Sequence, residues 1–322
     1  MNLHRLEASP PEWLGVAMEQ FERQFSYPLG DCASFHVVHG RQYVAFFQAM
    51  GEAMVFVIER EGQVLGTVAV IKRMLHTPDG DESPAYYVCD LKVARGHAGG
   101  LVLARLMHAV RDHVIHMGIA PVYGIVMDGT PRLPTSYTGR VGIPSFEPIA
   151  KLAVLKIPAG AHATWSFSCH RAQIDEVGLV RERLLRGAWS TPMGMHERRS
   201  EMKPLALLLG DGRAAACGVV EDTRLGKRLV MSDGREMRSA HLSSLACDDT
   251  ASGWELVRAA LVIAAQQGFP SLFLALPRSE RFSGMIHALV ERHGALDASA
   301  TIYGTGFVPD DGAEWWIDTS EI

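Results

Sequence analysis

Cysteine is scarce in this chain, with five among 322 residues, at Cys32, Cys89, Cys169, Cys217 and Cys247, and never two in a C-x-x-C pair. Isolated thiols in odd number exclude a complete disulfide framework and a zinc ribbon, and they fit a reducing compartment. Long hydrophobic runs are missing too: stretches such as Ala259–Ala265 are too short to span a bilayer, and Met1–Pro10 lacks the apolar core of a leader. Neither sign of charge dominates, since 31 Lys and Arg stand against 36 Asp and Glu for a net -5, with a pI near 6.3. Such a balance supplies no general attraction to phosphate backbones or anionic lipid, so no nucleic acid and no membrane are expected as partners and the protein reads as cytoplasmic. No Gly-x-Ser-x-Gly elbow occurs, and the adjacency of Cys169 and His170 in sequence says nothing of a nucleophile and its base.

What the chain has is core material. Hydrophobic residues make up 48% and charged residues 21%, at a mean hydropathy of +0.06, far from a disordered composition. The length suits two domains. Met54–Ile58 and Val64–Ile71 are apolar, β-branched runs joined by the charged turn Glu59–Gln63, which predicts a hairpin. A polar loop over Thr77–Pro84 follows, then a strand over Ala85–Val93 that enters the glycine-rich Arg95–Gly100. Beyond it Leu103, Leu106, Met107, Val110, Val114 and Met117 recur at helical spacing, and Gly118 stops the helix. Pro121–Met127 and Leu152–Ile157 read as further strands.

The second half repeats this order. Hairpin-like runs at Pro204–Leu209 and Ala214–Val220, strand candidates near Leu229 and at Leu242–Cys247, a helix over Trp254–Gln267 and a strand over Ser271–Leu276 suggest divergent copies. A helical pattern over Phe282–Arg292, a strand over Ala298–Phe307 and a closing strand over Glu314–Asp318 complete it, with Gln173–Arg186 helical between the copies.

A strand that opens through glycines into a helix aims backbone N–H groups and the positive end of the helix dipole at one place, where phosphate binds. Asp90-Leu91-Lys92-Val93, Arg95–Gly100 and the helix after Leu103 resemble, in that order, the signature of the GNAT superfamily of acyltransferases. Aligning Arg95 with the basic residue of that signature puts Gly100 at its final small residue, whereas keeping the usual strand-to-helix spacing puts Ala98 at the basic position. The resemblance implies two tandem GNAT-like lobes, each a mixed, mostly antiparallel twisted sheet flanked by helices. Residues 1–158 would form the lobe with the coenzyme A site and residues 159–322 a degenerate copy. It implies acetyl-CoA or another acyl-CoA as co-substrate, held by the backbone of Leu91 and Val93 along the pantetheine arm and by Arg95, Gly96, His97, Ala98, Gly99, Gly100 and Leu101 at the diphosphate. In the second half the matching turn, Asp248–Gly253, carries two carboxylates and no basic residue, so like-charge repulsion is expected to exclude coenzyme A there.

Attack of an amine on a thioester needs a base for the ammonium and often an acid for the thiolate, and no covalent nucleophile. The resemblance assigns these roles to Asp90, at the strand end, and to Tyr137, in a segment that loosely resembles the family's Tyr-containing helix; a cap or packing role is the plain alternative for each. No metal is expected, because His113 and His116 share a helix face without a third ligand nearby, while Asp79, Asp81 and Glu82 read as a solvated loop. The function expected is transfer of an acetyl or short acyl group to a small-molecule amine; a non-catalytic acyl-CoA-binding or interaction module is the alternative. A nicotinamide dinucleotide protein fits less well, for want of an acidic residue after a second parallel strand.

Overall fold

The computed structural model describes residues 1–29, 33–40, 43–96, 100–140, 142–160, 169–210, 213–308 and 312–322. The first half runs β1 (Asn2–Leu6), α1 (Glu12–Glu22), β2 (Tyr27–Leu29), β3 (Ala33–Val38), α2 (Tyr43–Gln48), β4 (Glu52–Arg60), β5 (Gln63–His76), β6 (Glu82–Val93), α3 (Leu101–Met117), β7 (Val122–Met127) and β8 (Glu147–Pro158). The second runs β9 (Cys169–Arg171), α4 (Ile174–Leu184), β10 (Trp189–Ser190), α5 (His196–Arg199), β11 (Leu205–Leu209), β12 (Ala216–Glu221), β13 (Arg228–Met231), β14 (Ala240–Cys247), α6 (Thr250–Gln266), β15 (Ser271–Pro277), α7 (Glu280–His293), β16 (Leu296–Asp297), β17 (Ala300–Thr305) and β18 (Trp315–Trp316).

The hairpin forms where the sequence places it. Glu61 and Gly62 both take positive φ, 55° and 81°, the backbone a two-residue loop needs to match strand twist. α3 buries Val102, Leu106, Ala109, Val110 and Val114, and they meet Phe56, Ile58, Val68, Val70 and Tyr86 on one face of the sheet. A Cβ on Gly66 would lie 2.9 Å from both Val102 and Leu106, so this glycine is what lets α3 approach β5. The opposite face takes α1 and α2, through Leu14, Met18, Phe21, Phe46 and Phe47. In the second half α6 packs Leu256, Val257, Ala260, Ile263 and Ala264 into a further core beneath β12, β14 and β15.

One sheet joins the halves, in the order β1-β4-β5-β6-β7-β17-β8-β15-β14-β12-β11-β9. The halves exchange strands: β17 lies between β7 and β8, antiparallel to both, while β8 pairs with β15. A small sheet, β13-β3-β2, ties the second half to the amino-terminal segment. Glutamates fasten the centre. Arg73 on β5 reaches Glu321 at 2.8 Å, Arg199 reaches Glu221 at 2.8 Å and Glu321 at 3.4 Å, and His196 meets Glu221 at 2.9 Å, all buried. No helix among the described residues is long and apolar enough to cross a membrane.

Two expected elements differ, and one stretch holds elements that were not expected. Glu314–Asp318 contributes only the two residues of β18 before a 3₁₀ turn over Thr319–Glu321. The segment around Tyr137 holds a 3₁₀ turn, Pro134–Ser136, in place of an α-helix, because Pro134 starts it and Gly139 and Gly142, at φ 75° and 72°, break it. Before Ala53, where no element is expected, lie β1 through α2.

Candidate active site

β6 and β7 are parallel neighbours for only two residue pairs, Tyr86 with Val122 and Tyr87 with Tyr123. At Gly124 they still lie close, since a Cβ there would stand 2.9 Å from the Val88 carbonyl. Beyond that point the strands part. β6 also bulges: its register against β5 jumps from Cys89–Ala69 to Lys92–Thr67, and Asp90 takes a positive φ of 52° within the irregularity. The Asp90 carbonyl accepts from Thr67 at 3.2 Å. A cavity of about 260 Å³ opens at the splay, with Val88, Asp90 and Leu91 on one side and Ile125 and Met127 on the other. Phe35 and Val37 of β3, with Leu229 of β13, lie over it, and His241 and Phe273 bring in the second half.

Asp90 and Tyr137 both stand on this cavity, although 47 positions separate them in the chain. Tyr137 is half-buried, and burial pushes its hydroxyl up to about 12, so it keeps its proton at neutral pH. Asp90 is gripped from behind. The Lys92 ammonium lies 2.5 Å from Oδ1, and the Tyr43 hydroxyl donates to Oδ2. Burial, then the Asp90 charge, pushes Tyr43 well above its ordinary range, which keeps it a phenol and therefore a donor.

Lys92 also reaches Glu22 at 3.2 Å, and Glu22 accepts from His39 twice, from the main-chain N–H at 3.0 Å and from Nδ1 at 2.6 Å. Burial alone would raise the Glu22 carboxyl; the charges of His39 and Lys92 and the hydrogen bonds outweigh it and hold Glu22 at about 2. Burial lowers Lys92 less than Asp90 and Glu22 raise it, so it stays charged. Ligand atoms of Glu22, His39 and Asp90 lie within 4.8 Å of one another, a spacing a metal could use, but the Lys92 ammonium touches both carboxylates and places its own positive charge there. On the far wall, Lys227 donates to the Ile322 carbonyl, with burial and then Arg199 lowering it to about 7, and burial lowers His241 to about 3, leaving the imidazole neutral.

The diphosphate end is described in part. His97, Ala98 and Gly99 lie outside the described residues. Arg95, Gly96 and Gly100 are exposed, and Leu101 is 62% exposed at the head of α3. The Ala94 amide is spent within the fold, donating to Leu65 at 2.9 Å. Gly100, the residue before α3, has no side chain to cap the helix. α6 is built otherwise: Asp249 accepts from the Ser252 amide at 2.7 Å, so the chain's own carboxylate occupies the place an anion would take. Leu91 lines the cavity, and Val93 packs toward the α3 side.

Sequence reasoning missed Glu22, His39, Tyr43 and Lys92 as site residues. A signal existed for the first of these: Leu14, Met18 and Phe21 recur at helical spacing and precede Glu22. Nothing in the sequence announced that β3 would carry His39 back to β6.

Comparison with known proteins found no matching protein family and no matching curated protein. Solved structures do resemble it. N-myristoyltransferase of Saccharomyces cerevisiae with bound myristoyl-CoA and inhibitors superposes with a TM-score of 0.62 at 10% identity, over 94% of this chain and 80% of that one. A second structure of the yeast enzyme with myristoyl-CoA gives 0.59 at 9% identity over 94% and 82%. A GCN5-related N-acetyltransferase from Anabaena variabilis gives 0.54 at 13% identity over 94% and 72%. The chain therefore shares the fold of these N-myristoyltransferase and GCN5-related N-acetyltransferase structures.

Proposed function

We propose that the protein is an acyl-CoA-dependent N-acyltransferase that moves an acetyl or other short acyl group to the amine of a small molecule by direct attack. The observation that supports it best is the succession of three features along β6 and into α3. An uncapped helix N-terminus at Gly100 would take the diphosphate, the unpaired edge of β6 at Leu91 and Val93 would bond the pantetheine arm, and a cavity at Asp90 lies where the arm would end. Arg95 and Gly96, with His97, Ala98, Gly99 and Leu101, complete the diphosphate cradle in this reading. Similar structures that carry myristoyl-CoA favour an acyl-CoA over other nucleotides. The size of the cavity and its cover of β3 and β13 favour a small acceptor over a peptide.

In this mechanism Asp90 supplies negative charge beside the incoming ammonium, and Tyr137 hands its proton to the departing sulfur. The second half contributes wall and no second cofactor site, since Asp249 caps α6. The test is a thiol-release assay with acetyl-, butyryl- and octanoyl-CoA against a panel of monoamines, polyamines and amino acids, with products identified by mass. An N-acyl product from a short thioester is expected; acyl-CoA that neither binds nor turns over would remove the proposal.

A further inference from the structure

We infer that His39 is the general base that deprotonates the acceptor, and that Glu22 positions it; the inference rests on the acyltransferase reading. His39 lies on the cavity wall, and one of its ring nitrogens is within 4.8 Å of an Asp90 carboxylate oxygen. Its Nδ1 faces the Glu22 carboxylate at 2.6 Å. An ionised carboxylate only accepts, so Nδ1 carries a proton in either charge state of the ring, and the neutral imidazole holds its lone pair on Nε2. Nε2 has no hydrogen-bond partner among the described residues. The main-chain N–H of His39 donates to the other oxygen of the same carboxylate at 3.0 Å, and rings of Tyr43, Phe46 and Phe47 pack around the imidazole at 4.9 to 5.3 Å, so neither partner can turn freely. A buried acid that fixes tautomer and orientation of an imidazole beside a cavity is the arrangement a base requires.

Asp90 is less suited to taking the proton. Both its oxygens are already engaged, by Lys92 and Tyr43, and a proton arriving there would have to displace one of them. A primary ammonium gives one proton to His39 Nε2; the freed amine forms the N–C bond to the thioester carbon; the C–S bond breaks as Tyr137 protonates the sulfur to the thiol; the second nitrogen proton returns to the Tyr137 oxygen and the third stays on the amide. His39 then releases its proton to solvent through the cavity.

The groups facing the imidazole are Glu22 from α1, Tyr43 from α2, and Asp90 and Lys92 from β6, so any of these could colour a pH profile. For that reason two readouts are needed. Nitrogen-15 NMR of histidine-labelled full-length protein should show His39 with the proton on Nδ1 and Nε2 unprotonated, and Glu22→Gln should shift that balance. His39→Gln should lower kcat by roughly 100-fold or more while the dissociation constant for acetyl-CoA changes less than twofold, and should abolish the ionisation that NMR assigns to His39. If His39→Gln folds poorly, Glu22→Gln/His39→Gln removes the stranded carboxylate and gives the same kinetic contrast. An Nε2–H tautomer, or a His39→Gln rate within threefold of wild type, overturns the inference and leaves the acyltransferase reading standing. Failure of the wild-type chain to bind acetyl-CoA would instead sink that reading.

Discussion

Lys92 is the residue on which the most charges depend. It is buried between Glu22 and Asp90, and removing it leaves two carboxylates facing each other in a dry setting. Lys92→Met is expected to cost about 3–5 kcal/mol, by denaturant titration, and Lys92→Met/Glu22→Gln to regain part of it, since breaking one side of a buried pair is worse than removing both. Tyr137 offers the complementary case: Tyr137→Phe deletes one proton donor at the cavity, so kcat should fall roughly 10²-fold with acyl-CoA affinity unchanged, which stopped-flow and equilibrium titration would separate.

At the level of elements, what patterns revealed and what they hid follow one rule. The β4–β5 hairpin, α3 and α6 were legible because periodicity and glycine placement are local signals, and each packs the face its pattern advertises. The Asp90 bulge was not legible, since the register jump depends on β5 and β7 together. His39 was hidden for the same reason: a short strand paired with β13, nearly two hundred residues away, determines where it lies. The two helix N-termini give a test. Asp249→Ala should cost about 1 kcal/mol, the usual loss of a capping side chain, and leave acyl-CoA affinity untouched. Gly66→Ala drives a methyl against Val102 and Leu106; it should destabilise by roughly 1–3 kcal/mol and, by lifting α3 from β5, weaken acyl-CoA binding as well.

For the whole molecule, exchange of β8 and β17 and the charges around Arg73, Arg199, Glu221 and Glu321 make the two halves one structure. Burial raises Glu221 and Glu321, and the neighbouring arginines lower them further than burial raises them, so both carboxyls lie below their ordinary value. Glu22, at about 2 against an ordinary 4.5, behaves alike. A depressed carboxyl contributes stability that is complete above its unfolded pKa and lost as pH falls through the folded one. Unfolding free energy should accordingly be flat near neutrality and decline as pH falls from about 4.5 toward 2, with Glu22→Gln shallowing the slope.

The contrast between an open α3 and a self-capped α6 is tested most directly by isothermal titration of the full-length protein with acetyl-CoA. One molecule bound per chain, with an affinity that Asp249→Ala does not alter, is the predicted result. No binding up to millimolar concentration, or two molecules bound per chain, would contradict it.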